Sequence, residues 1–177
     1  MIGRMVGDGA PVLVARAFKA AGFEMPADAI DRFLALYHGR LLRYTRPYDG
    51  IPELLAELAP RAALAVLTNK PMEPTLAILD GLDLLRYFPA DHVLAGDGPF
   101  PRKPDPAGLR HLMASAGATA DGTVLVGDSV VDWRTAAAAA TKVCLARYGF
   151  GWEGFPIDQL QPDAWVVDSP RDLRRYL

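Results

Sequence analysis

From Ile51 onward, short apolar runs alternate with longer amphipathic stretches, and this alternation limits the possible fold more than any other feature. Ala62–Leu67 (Ala-Ala-Leu-Ala-Val-Leu), His92–Ala95, Thr123–Val126, Val143–Ala146 and Trp165–Val167 read as strands. Ile51–Leu58, Met72–Leu85, Pro106–Ala116 and Asp132–Ala140 read as helices, with a short terminal helix at Arg171–Tyr176. Strands separated by helices pair in parallel through right-handed crossovers. The apolar runs do not alternate with polar residues, as expected when both faces of a sheet are covered. The run Ala136–Ala140 is helix propensity rather than low complexity.

The part before Ile51 follows a different rhythm. Pro11 to about Gly22 is an amphipathic helix stopped by its glycine. Asp28 to Tyr44 is a second, with Ile30, Phe33, Leu34, Leu36, Tyr37, Leu41 and Leu42 at helical spacing. Pro47-Tyr48-Asp49-Gly50 then supplies turn chemistry. The expected division is a helical region over 1–46 and an α/β core over 47–177.

With 51% hydrophobic and 23% charged residues, the chain can bury a core and is not a disordered segment. A formal net charge of −2 argues against a nucleic-acid partner held by counterion release. Cys144 is the single cysteine, which excludes an internal disulfide and a cysteine-based zinc site. No run of about 18 apolar residues exists, so no membrane span is expected. The first ten residues lack a signal-peptide layout, and a cytoplasmic location is the expectation. His38, His92 and His111 fall on separate elements and form no ligand cluster; His92, at a strand start, reads as structural. Trp133 reads as packing the start of its helix. Oligomeric state is not legible at this level.

Ligands of a doubly wound sheet gather beyond the carboxyl ends of its strands. One strand ends in Leu67-Thr68-Asn69-Lys70-Pro71, where a hydroxyl and the following backbone N–H groups can hold phosphate oxygens, helped by the next helix N-terminus. Another ends in Gly127-Asp128-Ser129, with Asp132 opening the helix four residues after Asp128, so both carboxylates can face one spot. Crowded carboxylates call for a cation, and an oxygen-only set suits Mg2+. Lys103, in Arg102-Lys103-Pro104-Asp105-Pro106, can offset charge on a phosphoryl group. Singly, each has an ordinary role: a turn or N-cap for Thr68 and Asn69, a solvated lysine, a carboxylate at a helix start. Together, in this order at strand ends, they favour a phosphoryl site.

At these residues the sequence resembles the haloacid dehalogenase (HAD) superfamily of phosphohydrolases, and within it most closely the phosphoglycolate phosphatases. Leu67–Pro71 is similar to the second family motif, Lys103 within Arg-Lys-Pro-Asp-Pro to the third, and Gly127–Asp132 to the fourth. Pro47–Gly50, Tyr87-Phe88, Gly96-Asp97 and Tyr148-Gly149 are further matches. The resemblance implies a Rossmann-like parallel core with a partial α-helical cap over 1–46, and a small phosphorylated metabolite as substrate. It implies that Thr68 and the Asn69 backbone bind the phosphoryl group and that Lys103 stabilises its charge. Asp128 would ligate Mg2+, with Asp132 supporting the metal directly or through water. Arg4, Gly7 and Asp8 lie where such a cap approaches substrate.

One family part has no counterpart. The first motif, Asp-x-Asp-Gly-Thr after an apolar strand, carries the nucleophile and an acid/base; Asp8-Gly9-Ala10 and Asp97-Gly98-Pro99 do not match it. In the family that strand is central, between those carrying Thr68 and Asp128. The expectation is a phosphatase sequence truncated at its N-terminus and inactive alone, because covalent catalysis lacks its acceptor. The alternatives are a non-catalytic binding or regulatory module, or a phosphotransferase or dehalogenase of the same fold. The carboxylate pair disfavours a dehalogenase, and the motif order disfavours a receiver domain. Without a strand between Leu64–Leu67 and Val124–Gly127, those two strands must pair directly, leave backbone groups unsatisfied, or borrow an edge.

Overall fold

The computed structural model describes residues 9–153, 155–160 and 164–176. Arg4, Gly7 and Asp8 lie outside the described residues. The chain begins with α1 (Ala10–Ala21), ended by Gly22 in the left-handed conformation, and α2 (Ala29–His38), which packs on it. Then come α3 (Ile51–Leu58), β1 (Val66–Leu67), α4 (Met72–Gly81), β2 (Val93–Leu94), α5 (Ala107–Ser115) and β3 (Val124–Gly127). α6 (Val130–Ala139), β4 (Lys142–Ala146), β5 (Trp165–Val167) and a 3-10 segment, Pro170–Arg175, complete the order.

All strand pairings are parallel, as the alternation of strands and helices requires. They fall into two ladders: β1 with β2, and β3 with β4 and β5. Val66 faces Val93 and Leu67 faces Leu94 in the first; Val126 faces Cys144 and Gly127 faces Leu145 in the second. The first ladder continues past its strands, because Thr68 N–H donates to Leu94 O (2.9 Å) and Gly96 N–H to Lys70 O (2.8 Å). Among the described residues, β1 and β3 are not paired with each other and no strand lies between them.

The core gathers around β4. Leu54 and Leu58 of α3, Cys144, Val167 and Leu173 form one buried cluster, flanked by Leu64, Val124, Tyr148, Trp165 and Tyr176. Leu145 is the next residue along the strand and points to the opposite face, where α6 presents buried Thr135, Ala136 and Ala139. Small side chains there let the helix sit close to the strand.

Three elements are shorter than their sequence patterns predict by four residues or more, each for a local reason. α2 stops at His38, not Tyr44, because Gly39 follows and Arg40 and Leu41 N–H groups turn back to Tyr37 and His38 carbonyls. α4 stops at Gly81 because Asp83 takes a positive φ of 57°, with Leu84 N–H returning to Leu79 O. β1 loses its first residues because the Leu64 carbonyl faces His92 Nδ1 at 3.1 Å. That contact gives buried His92 the structural role its position predicts.

Candidate active site

The turn after β1 is fixed by its own side chains. Thr68 Oγ1 accepts the Lys70 N–H at 3.1 Å, a local turn that competes with further strand. The Thr68 O–H itself has no acceptor among the described residues, so it can donate to a ligand. Asn69 is buried, and its amide grips the backbone of Lys103 at both ends: Oδ1 accepts Lys103 N–H (2.8 Å) and Nδ2 donates to Lys103 O (3.0 Å). The Asn69 side chain therefore ties the threonine loop to the lysine loop. Gly96 completes the join, since a Cβ there would lie 2.3 Å from the Asn69 carbonyl oxygen. The N-terminus of α4 is partly spoken for, because Asp97 Oδ1 accepts the Met72 N–H at 2.8 Å. That helix start is less available to phosphate than its position after Thr68 predicts.

Lys103 reaches across to the loop after β3. Its Nζ lies 2.7 Å from Asp132 Oδ1, with side-chain exposures of only 14% and 8%. The other oxygen, Asp132 Oδ2, accepts Ser129 Oγ–H (2.6 Å), Ser129 N–H (3.1 Å) and Asp128 N–H (3.2 Å). Ser129 returns the favour at the Asp132 N–H, making a capping box at the start of α6. Burial pushes the Asp132 carboxyl upward, but the Lys103 ammonium and the Ser129 hydrogen bonds outweigh it and hold its pKa below the ordinary value.

Asp128 stands differently. Its Oδ2 accepts the Gly151 N–H at 2.9 Å, and Oδ1 has no donor among the described residues. Backbone crowds it: a Cβ at Gly149 would lie 2.2 Å from Asp128 Cβ, and one at Gly151 2.9 Å from Oδ1. Tyr48 and Tyr148 form an edge-to-face pair 4.8 Å apart. Burial and then the Asp128 charge raise the Tyr48 pKa. Burial first, then Cys144, Tyr48 and Asp128, push Tyr148 up to about 12. Both phenols stay neutral beside the carboxylate.

Thus the loops of Thr68, Lys103 and Asp128/Asp132 are joined by one chain of hydrogen bonds at the carboxyl ends of β1 and β3. Gly149 falls in the Tyr148-Gly149 match, but neither Gly151 nor the Ser129-x-x-Asp132 capping pattern stands out in the sequence by the same signals. As to Mg2+, Asp128 fits as an oxygen ligand with one oxygen to spare. Both oxygens of Asp132 already accept hydrogen bonds, which favours its supporting the metal through water over direct ligation. No group of three or more metal-ligating side chains occurs among the described residues. Asp121-Gly122-Thr123 precedes β3 and so sits at the opposite, amino end of the sheet from this chemistry.

Known proteins resemble this chain in sequence and in fold. The phosphoglycolate phosphatase of Rhodospirillum rubrum is 45% identical over 159 residues, covering 85% of this chain and 65% of that protein. That of Agrobacterium fabrum is 36% identical over 169 residues, covering 93% of this chain and 71% of its own length. A crystal structure from Haemophilus somnus, described as a predicted phosphoglycolate phosphatase, superposes with a TM-score of 0.86 at 31% identity. It is matched over 98% of this chain and 80% of that one. The chain therefore spans slightly less than two thirds of its R. rubrum relative. The sequence profile of the haloacid dehalogenase-like hydrolases matches residues 11–146, which carry Thr68, Lys103, Asp128 and Asp132. By that match and by these relatives, the chain belongs to the haloacid dehalogenase-like hydrolases.

Proposed function

We propose that the complete protein is a Mg2+-dependent phosphomonoester hydrolase of the phosphoglycolate phosphatase type, acting on a small phosphorylated metabolite. The observation that carries this reading is the bonded chain Asn69–Lys103–Asp132, which brings a free threonine hydroxyl, an ammonium and a half-free carboxylate to one sheet edge. Thr68 Oγ–H and the Asn69 backbone hold phosphoryl oxygens, and Lys103 offsets the charge that grows on them. Asp128 holds the metal through Oδ1, and Asp132 orients Lys103 from behind. When bound, Mg2+ would neutralise phosphoryl charge and help orient the ester. Residues 1–46 act as part of a helical cap over a core at 47–177, joined at the Tyr48–Gly50 turn.

The nucleophile in this reading belongs to a segment preceding the chain, bearing Asp-x-Asp-Gly-Thr and pairing with the edges of β1 and β3 that no strand among the described residues occupies. Its carboxylate oxygen bonds to phosphorus as the ester P–O bond breaks, and the second aspartate gives a proton to the leaving alcohol. Water then cleaves the aspartyl-phosphate, releasing inorganic phosphate and restoring the carboxylate. The absence of the motif from the 177 residues keeps a second reading, a non-catalytic binding module of this fold. A phosphate-release panel with Mg2+, run on this chain and on a form extended upstream in frame, separates the two. Release by the extended form alone supports the hydrolase; no Asp-x-Asp-Gly-Thr in the upstream frame sinks it.

A further inference from the structure

Two lysines stand at the Thr68 loop, and their partners differ. Lys103 is matched by the Asp132 carboxylate at 2.7 Å. Lys70 is half-buried, and among the described residues its ammonium has no carboxylate partner. It is bonded instead to the Tyr37 hydroxyl and lies 4.7 Å from the centre of the Tyr37 ring. Glu73, the nearby acid on α4, is turned to His38. Tyr37 and His38 end α2, so both contacts bridge the helical layer and the start of α4. A neutral phenol and a ring face hold an ammonium in place without cancelling its charge. A partly desolvated cation left uncompensated favours an incoming anion.

The placement decides which anion. Lys70 N–H bonds Thr68 Oγ1 and Lys70 O bonds Gly96 N–H, so its backbone is locked into the proposed phosphoryl loop while its side chain rises toward α2. The ammonium therefore lies between the Thr68 loop and α2, on the helical side of the proposed phosphoryl site. We propose that Lys70, oriented by Tyr37, contacts a second anionic group of the substrate and selects phosphomonoesters that carry a carboxylate close to the phosphate. This rests on the phosphoryl-site reading above and adds the residue that discriminates among esters. The comparison with Lys103 also separates their duties: Lys103 serves the phosphoryl group common to all esters, and Lys70 the part that differs.

The test is calorimetric titration of the 177-residue chain, in Mg2+, with inorganic phosphate, ethyl phosphate and 2-phosphoglycolate. The readout is the affinity ratio of the two esters, which a merely structural role would not move. The wild type is expected to prefer 2-phosphoglycolate by about tenfold, the scale of one charged hydrogen bond. Lys70→Met brings that ratio close to one, Lys70→Arg largely keeps it, and Lys142→Met, a charge control at the exposed first residue of β4, leaves it unchanged. Equal affinity of the wild type for both esters overturns the proposal, as does a ratio that survives Lys70→Met or collapses with Lys142→Met. Failure to bind even inorganic phosphate overturns the phosphoryl-site reading and this proposal together, so the two failures are told apart.

Discussion

β4 and β3 are neighbours in one ladder, yet they are stabilised in opposite ways. β4 has a partner on each edge and a helical layer on each face, and its Cys144 and Leu145 are 0% exposed. Among the described residues β3 has one ladder partner, and its Val126 is 40% exposed, unusual for a parallel strand that helices normally cover. Around β4 the structure is held by burial of apolar surface. On the β3 and β1 side it is held by polar clamps: Asn69 on Lys103, Lys103 on Asp132, Asp132 on Ser129. Every candidate phosphoryl residue lies on the side held by hydrogen bonds rather than by packing.

Replacing the clamp tests that contrast most severely. Asp132→Ala strands the Lys103 ammonium and removes the carboxylate half of the α6 capping box, and should cost about 3–5 kcal/mol in urea unfolding. Its pH dependence has a definite sign. The folded carboxyl lies below its ordinary value, so its stabilisation is complete above the unfolded pKa and fades as pH falls through the folded one. The gap between wild type and Asp132→Ala should thus begin to narrow below about pH 4 and keep narrowing until the pH passes below the folded value. A gap that persists unchanged at low pH would mean the clamp is not ionic.

On the packed side, Leu145→Ala should cost about 2–5 kcal/mol through a cavity beneath α6, with no dependence on pH in that window. Gly96→Ala forces a Cβ against the Asn69 backbone, and thermal melting should show a loss of about 1–3 kcal/mol. Val126→Ala should cost less than about 1 kcal/mol, since the side chain is already in part wet. If Val126→Ala proved as damaging as Leu145→Ala, the two strands would not differ as described.

Much of this contrast was written in the chain, but unevenly. Helices α3 and α6 and strand β5 were legible because their apolar spacing and turn residues agree with the tertiary context. The Thr68, Lys103 and Asp128 loops were legible as strand ends carrying polar side chains. What periodicity could not report was the use of each polar group. Asp132 reads as half of a metal pair, yet its oxygens are consumed by Lys103 and the capping box, a long-range choice made by the fold. The amide of Asn69 gripping Lys103 across 34 positions, and Lys70 reaching Tyr37, are likewise set by topology rather than local sequence. The early end of α2 was legible in principle, since Gly39 lies inside the predicted helix.

The central claim is a phosphoryl site that is assembled but without its acceptor. It is tested most directly by titrating this chain with inorganic phosphate in Mg2+ and assaying the same sample for release of phosphate from 2-phosphoglycolate. Saturable binding that weakens in Asp128→Asn, with no turnover, is the expected result. Turnover by the 177-residue chain that Asp128→Asn abolishes would contradict it, because an acceptor would then lie within the sequence itself.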